Sequence, residues 1–444
     1  MIKKFKEHIA SDFPELETKK VLVAVSGGVD SVTLLHLLHR IGYDVVAAHC
    51  NFNLRGKDAD LDEEFVGKTG KKLQISTWVK SFDTKQYALQ NKLSIQEAAR
   101  KLRYDWFAEL LAEKKADILV TAHNLDDNFE TVLHHLTRGT GLQGLLGIPP
   151  KNDKIYRPLL AFSRSEIHDF AVKNNIAWRE DKSNAETKYI RNKIRHKVLP
   201  VLQEINPNLL NSFKKTQHYL KQSNAILEEV VQQKWNAVSE IKNDIIQISI
   251  FKLSKLNQTD FYYYQFFKPF GFTDVSEIKK LIHAQSGKQL FSKTHRLLKD
   301  RNLLLLDALA SYKKEVFEIQ QKDTCLFLPN FQLMIEDNVD LSINPSGKDK
   351  KSVVIDKDLL KFPLTVRKWQ KGDYFYPLGM QGKKKLSKFF KDNKLNLFEK
   401  ESIWLLLSGN EIVWVIGMRQ DRRFAVDAKT KNKIKFSVLN SEKS

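Results

Sequence analysis

The run Ser26-Gly27-Gly28-Val29-Asp30-Ser31 constrains this chain more than any other feature. An apolar stretch over residues 21–25 leads into it, and Val32, Leu34, Leu35, Leu37 and Leu38 follow at helical spacing. The pattern predicts a buried strand, a sharp turn and a helix. Two glycines let the backbone turn tightly and approach a ligand closely. The helix start then offers free N–H groups and the positive end of a dipole, both of which attract phosphate. Ser26 and Ser31 add hydroxyl donors, and Asp30 is suited to hold a cation against bound phosphates. No Gly-Lys-Ser/Thr closes the turn and no Gly-x-Gly-x-x-Gly is present, which excludes the Walker loop and the dinucleotide fingerprint.

The turn resembles the phosphate loop of the N-type ATP pyrophosphatases, the PP-loop superfamily. Those enzymes cut ATP between the α- and β-phosphates and place AMP on a carbonyl oxygen. The rest of the N-terminal region fits such a fold. Residues 45–49, 73–79 and 117–122 read as strands, and 94–113 as a helix with Ile95, Ala98, Ala99, Leu102 and Phe107 near one face. Strands alternating with helices indicate an α/β domain with a doubly wound parallel sheet. The resemblance implies an adenine nucleotide alpha hydrolase-like fold. Ligands of such sheets lie beyond the carboxyl ends of the strands, so Ser26, His49 and His123 are expected around one crevice.

Three domains are expected. The first, 1–205, carries the loop. The second, 206–320, is a mixed middle domain that opens with a long helix reaching about residue 238 and contains an aromatic run at 261–267, for which core packing is expected. The third, 321–444, is a small α+β domain with strand-like stretches at 404–407 and 412–417 and an exposed linker at 347–351. Lys+Arg 73 against Asp+Glu 53 leaves a formal charge of +20, which favours a polyanionic partner. Two cysteines, Cys50 and Cys325, imply no disulfide framework. No signal core and no apolar run of membrane-spanning length is seen, so a soluble cytoplasmic protein is expected. No His/Cys cluster has the spacing of a structural zinc site.

Asp126, Asp127 and Glu130 follow the strand at 117–122. If a helix begins near Asn124, Asp127 and Glu130 share a face. An acidic first turn suits a helix dipole by itself. Its place beside a phosphate loop marks it as chemistry. Arg100 and Arg103 are cations able to neutralise phosphate. His49, alone at a strand end, reads as an orienting group.

Taken together, the motifs resemble the tRNA(Ile)-lysidine synthase family. The likeness rests on residues 26–31, 49–55, 100–104, 122–131, 157–160, 181–184, 191–195 and 198–200, and extends to 366–373, 384–390 and 412–419. Two departures stand out. Phe52 occupies a position where the family often has histidine, and 394–400 lacks the family's usual proline and arginine. The resemblance implies a ligase that uses ATP and Mg²⁺ to join L-lysine to C2 of the wobble cytidine of tRNA(Ile) with a CAU anticodon. The route runs through an adenylated cytidine, and reading changes from AUG to AUA. No membrane and no obligate protein partner is implied. Ser26, Gly27, Gly28, Val29, Asp30 and Ser31 would bind ATP, with Asp30 on Mg²⁺. Asp30, Arg103, Asp127 and Glu130 would be catalytic, with Arg100 as second choice to Arg103. Arg191, Arg195, Lys383, Lys384, Lys385 and Lys388 would meet tRNA, with Lys391 a further candidate. A PP-loop tRNA thiolase and a non-enzymatic tRNA-binding protein are the rival readings. The absence of Cys-x-x-Cys opposes the first, and the intact loop opposes the second. A small-molecule amide synthetase would not need the basic C-terminal region.

Overall fold

The computed structural model describes residues 1–113, 115–180, 190–309, 316–337, 339 and 350–440. The expected family segment 181–184 and residues 347–349 of the expected linker lie outside the described residues. Six strands, β1 (Val21–Ala24), β2 (Val45–Asn51), β3 (Thr77–Ser81), β4 (Ile118–Val120), β5 (Lys151–Asn152) and β6 (Ile155–Tyr156), form one sheet. Their order is β3-β2-β1-β4-β6-β5. All pairings are parallel except that of β5 with β6 at the edge.

β1 is apolar throughout because the sheet is covered on both faces. Val21 and Val23 face a core shared with α1 (Ile2–Asp12) and α2 (Val29–Arg40). Leu22 faces the opposite core, which holds Trp106, Phe107 and Leu110 of α3 (Ile95–Ala112). The expected doubly wound architecture is therefore present. Because β1 lies between β2 and β4, the chain leaves it in opposite directions on its two sides, and a crevice opens at their carboxyl ends.

The strand expected over 73–79 begins later, at Thr77. A helix not expected from the sequence, Lys57–Leu73, runs into it. Gln74 ends that helix at φ 57°, and Ile75 N–H returns to the Gly70 carbonyl at 2.9 Å. Ile75 is thus buried as a helix stop, which mimics a strand residue in an apolarity profile. A side chain at Gly70 would crowd this stop, since a Cβ would lie 2.0 Å from Thr77 Oγ1 and 3.1 Å from the Ile75 carbonyl oxygen, so Thr77 would have to move.

The chain divides into two compact units, Met1–Glu229 and Val230–Ser444, with the helix Leu209–Val238 crossing the division. In the first unit, Phe213 of that helix packs edge-on against Phe129 at 4.9 Å. The second unit begins with a five-stranded antiparallel sheet against the helices Thr259–Phe267 and Val275–His283. Tyr263, Phe266 and Phe267 are buried there with Leu297 and Leu304, so the aromatic run is core packing. A five-stranded and a four-stranded antiparallel sheet follow and enclose a core containing Val366, Leu406, Val413 and Phe436. Helix Leu386–Asp392 adds Leu386, Phe389 and Phe390 to a separate core with Leu405, Leu407 and Val415. Arg296, 5% exposed, bonds Glu401 and Asp307 and lies 4.0 Å over the Phe398 ring, tying the first of these sheets to helix Leu397–Ser402. Among the described residues no helix is long and apolar enough to cross a membrane.

Phe267→Ala should lower the stability of the second unit by about 3–5 kcal/mol, the cost of a large buried cavity. Tyr264→Ala, at a half-buried ring, should cost much less. Urea unfolding followed by fluorescence checks the order, and equal midpoints would refute the core assignment.

Candidate active site

The loop after β1 is held from below before it binds anything. Val25 N–H donates to Ala48 O at 2.9 Å, and the Nδ1–H of His49 donates to the Val25 carbonyl at 2.8 Å. His49 is buried, and burial holds its pKa below the ordinary value, so it is a neutral orienting group. Gly27 takes φ 95°, a conformation that glycine adopts without strain. Its carbonyl accepts the N–H of Arg179 at 2.9 Å.

The two serines differ. Ser31 is buried, donates to the Gly28 carbonyl at 3.0 Å and accepts the Ser26 N–H at 3.1 Å. It staples the turn. Ser26 is exposed, 3.1 Å from the Ser31 hydroxyl, and is the one that faces outward. Gly28 starts α2 with no side-chain cap, which leaves the first-turn N–H groups for an anion.

Asn124 caps α4 (Leu125–Thr137), which leaves the adjacent strand β4. Asp127 completes the capping box, with its Oδ2 accepting Asn124 N–H at 3.1 Å. Its Oδ1 accepts from Arg195 Nη2 at 3.1 Å. Glu130, 3% exposed, takes a two-pronged pair from the same arginine, Nε at 2.6 Å and Nη2 at 3.0 Å. Burial pushes the Glu130 carboxyl above the ordinary range, against the pull of Arg195. Asp126 turns away and accepts the N–H of Arg164 at 2.8 Å, capping helix Arg164–Lys173. Arg195 sits in the π-helical turn Ile194–Val198, a geometry found often at functional sites.

Asp30 faces this group. Burial first, then the charge of Asp127, pushes its carboxyl up to about 6, while Arg164, a hydrogen bond from Asn124 and Arg195 pull the other way. Its Oδ1 is buried with no hydrogen-bond partner. An orphaned carboxylate oxygen beside a second carboxylate fits a divalent cation that keeps waters and substrate oxygens as its other ligands. No cluster of three His, Cys, Asp or Glu able to hold a metal occurs among the described residues. A cation here would need its remaining ligands from substrate and water.

Arg100 and Arg103 lie on α3. Arg103 lies over the Phe52 ring at 5.2 Å, and Phe52 stacks on Phe82 at 5.8 Å. Arg100 is exposed over Tyr104 at 4.8 Å. Burial pushes the Cys50 thiol up to about 12, which makes it a poor nucleophile. In the second unit, Arg367 forks onto Asp373 with two bonds of 2.9 Å. Lys383, Lys385, Lys388 and Lys391 are exposed, whereas Lys384 is half-buried and paired with Asp392 at 2.7 Å. Arg191 lies in the helical turn Ile190–Lys193.

Three family models match the chain: a PP-loop domain over residues 1–202, a TilS substrate binding domain over 240–309 and a TilS substrate C-terminal domain over 364–436. A tRNA(Ile)-lysidine synthase from Parabacteroides distasonis is 40% identical over 95% of this chain and 96% of the relative. Its counterpart from Bacteroides thetaiotaomicron is 39% identical over 98% and 97%. One from Clostridium perfringens is 31% identical over 95% and 96%. The chain belongs to the tRNA(Ile)-lysidine synthase family. It is accordingly an ATP-using enzyme of tRNA(Ile) lysidine synthesis.

Within this lysidine synthase framework, Asn124, Arg164, Asp62 and Arg179 also shape the crevice. Asn124 and Arg164 act on Asp30. Asp62, 7% exposed, binds both Arg55 and Arg179 beside the loop. Asn124 alone had a local signal, as the cap residue three before Asp127. The rest act across long sequence separations.

A carboxyl whose folded pKa exceeds its unfolded value opposes folding once ionised. For Asp30 the loss grows as pH rises from about 3.8 to about 6 and persists above. Asp30→Asn should therefore stabilise the ligand-free protein by up to about 3 kcal/mol at neutral pH, with the gain fading toward pH 4. Thermal melts at both pH values check this. A variant less stable than the parent at neutral pH would contradict it.

Proposed function

We propose that the crevice between β1 and β4 adenylates O2 of the wobble cytidine of tRNA(Ile) with a CAU anticodon, and that L-lysine then replaces the AMP at C2. The observation that carries this reading is the buried, unpartnered Asp30 oxygen at an uncapped helix start, facing a carboxylate pair held by one arginine.

In the first step, O2 of cytosine attacks the α-phosphorus of ATP. The bond to the bridging oxygen breaks, and pyrophosphate leaves with the electron pair. Gly27, Gly28 and Val29 lend backbone to the phosphates, Ser26 its hydroxyl, and Ser31 preserves the shape of the turn. Mg²⁺, held through Asp30, would offset charge on the departing pyrophosphate. In the second step, the ε-amine of lysine attacks C2, the C2–O bond breaks and AMP leaves. Free lysine carries a proton, since its pKa is about 10.4, so a carboxylate must bind the ammonium and take that proton. Asp127 is the better placed: its side chain is 27% exposed and takes one bond from Arg195, whereas Glu130 is 3% exposed and held by Arg195 at both oxygens. Arg195 thereby positions both carboxylates, and Arg191 remains the tRNA contact of its segment. Arg103, with Arg100 behind it, steadies the adenylated state. Codon reading changes from AUG to AUA.

Labour divides by region in this reading. Residues 1–205 run the chemistry, 206–320 support substrate binding, and 321–444 bring tRNA phosphates to Lys383, Lys385 and Lys388, with Lys384 braced by Asp392. The reaction takes place in the cytoplasm and needs no protein partner. The thiolase reading is disfavoured by the raised Cys50 thiol.

Incubation with ATP, labelled lysine and tRNA(Ile), followed by nucleoside analysis, should show a lysine adduct together with AMP and pyrophosphate. A sulfur-substituted nucleoside, or no pyrophosphate, would overturn the reading. Asp30→Ala should abolish AMP formation yet keep most tRNA affinity; substantial lysidine from that variant would remove Asp30 from the mechanism. Changing Lys383, Lys385 and Lys388 to alanine should flatten the log–log salt dependence of tRNA binding by about 0.9 for each phosphate no longer neutralised. An unchanged slope would take that face out of the interface.

A further inference from the structure

A second cleft, of about 410 Å³, lies against the same helix as the carboxylates but on its other side. Leu125 and Asn128 line it, and at about 100° per residue they sit roughly 160° around α4 from Asp127 and Glu130. Phe13, Ile148 and Leu160 make its wall apolar. Helix Leu209–Val238 contributes Lys214, Gln217 and Lys221. One acid, Asp12, lines the cleft against Lys214, Lys221 and Arg157, so the cations set its sign; burial holds His8, 3.2 Å from Asp12, below its ordinary pKa.

Two buried side chains in this cleft have unmet polar atoms. Gln217 is 6% exposed, and its amide nitrogen donates to the Leu145 carbonyl at 2.7 Å, which fixes the orientation of the amide. Its Oε1 has no partner. Arg157, also 6% exposed, gives Nη1 to the Pro149 carbonyl at 2.8 Å, and its Nε has no partner. A buried acceptor and a buried donor left unmet are costly, and a ligand that meets them recovers that cost.

We propose that this cleft is a second nucleotide subsite, which takes one unstacked nucleotide of the tRNA near the one that is modified. The base lies on the apolar wall, its exocyclic amine meets Gln217 Oε1, and its phosphate meets Lys214 and Lys221. Uracil alone among the four RNA bases lacks an exocyclic amine, so the subsite selects against uracil. Reading splayed bases in pockets is how proteins recognise single-stranded RNA loops. The proposal rests on the tRNA reading above and adds a place for a second base.

The test is binding, measured apart from turnover. The double variant Lys214→Ala/Lys221→Ala should bind tRNA(Ile) and its isolated anticodon hairpin about tenfold more weakly, with a salt slope lower by about 1, the share of the single phosphate both lysines meet. Its affinity for ATP, measured by calorimetry, should equal that of the parent. Hairpins in which each loop adenine, cytosine or guanine is replaced by uracil should show one position that weakens binding to the parent but not to Gln217→Leu. Unchanged hairpin affinity and slope in the lysine variant would overturn the proposal. Loss of free AMP or CMP binding with hairpin affinity intact would overturn it too, by marking a mononucleotide site. If Gln217→Leu fails to fold, the lysine variant still decides. Lysidine formation by the parent is assayed in parallel: its absence defeats the function proposed above, whereas unchanged RNA binding by the lysine variant defeats the subsite alone.

Discussion

Two carboxylates facing each other at the exits of neighbouring parallel strands set the terms for the first unit. Asp30 stands at the start of the helix after β1, and Asp127 in the first turn of the helix after β4. Neither carboxylate comes close to the other unless β1 pairs with β4 on one side while β2 closes the other. Burial and like charge make ionised Asp30 unfavourable in the ligand-free protein. The surroundings limit that cost without removing it: Asn124 donates to Asp30, and Arg164 and Arg195 add positive charge. A cation bound with substrate phosphates would offset the remainder, so stability is given up where binding can recover it.

The loop itself is hydrogen-bonded on both sides without a ligand. Ser31 and His49 hold its shape from inside, and Gly27 is hydrogen-bonded to Arg179 from outside. Such preorganisation lowers the ordering needed when phosphate binds. Arg195 plays a comparable part for Asp127 and Glu130. One guanidinium satisfies parts of both carboxylates, and the planar fork fixes their spacing.

The second unit holds together through packed sheets and a buried charge cluster. Its two regions are tied by Arg296, whose buried charge is matched by Glu401 and Asp307. The phosphate contacts proposed for this unit would need exposed cations on a packed support. Helix Leu386–Asp392 buries Leu386, Phe389 and Phe390 while Lys388 and Lys391 stay in solvent.

The sequence by itself determined what short range decides. The strand, the glycine turn and the helix over 21–38, the cap at Asn124 and the apolar content of the 261–267 helix all depend on neighbours within a few residues. The motif set also sufficed to place the chain in its family. Tertiary structure decided what long-range contact settles. The sequence could not show that Ile75 is a helix stop rather than a strand residue, because burial looks alike in both. Nor could it separate Ser31, a staple, from Ser26, which faces outward, or Asp126, a cap for a helix 38 residues away, from Asp127. Arg195 reads in sequence as a candidate tRNA contact. Only the fold brings it across 65 residues of chain to Glu130, because an ion pair is set by distance in space, which local pattern does not encode.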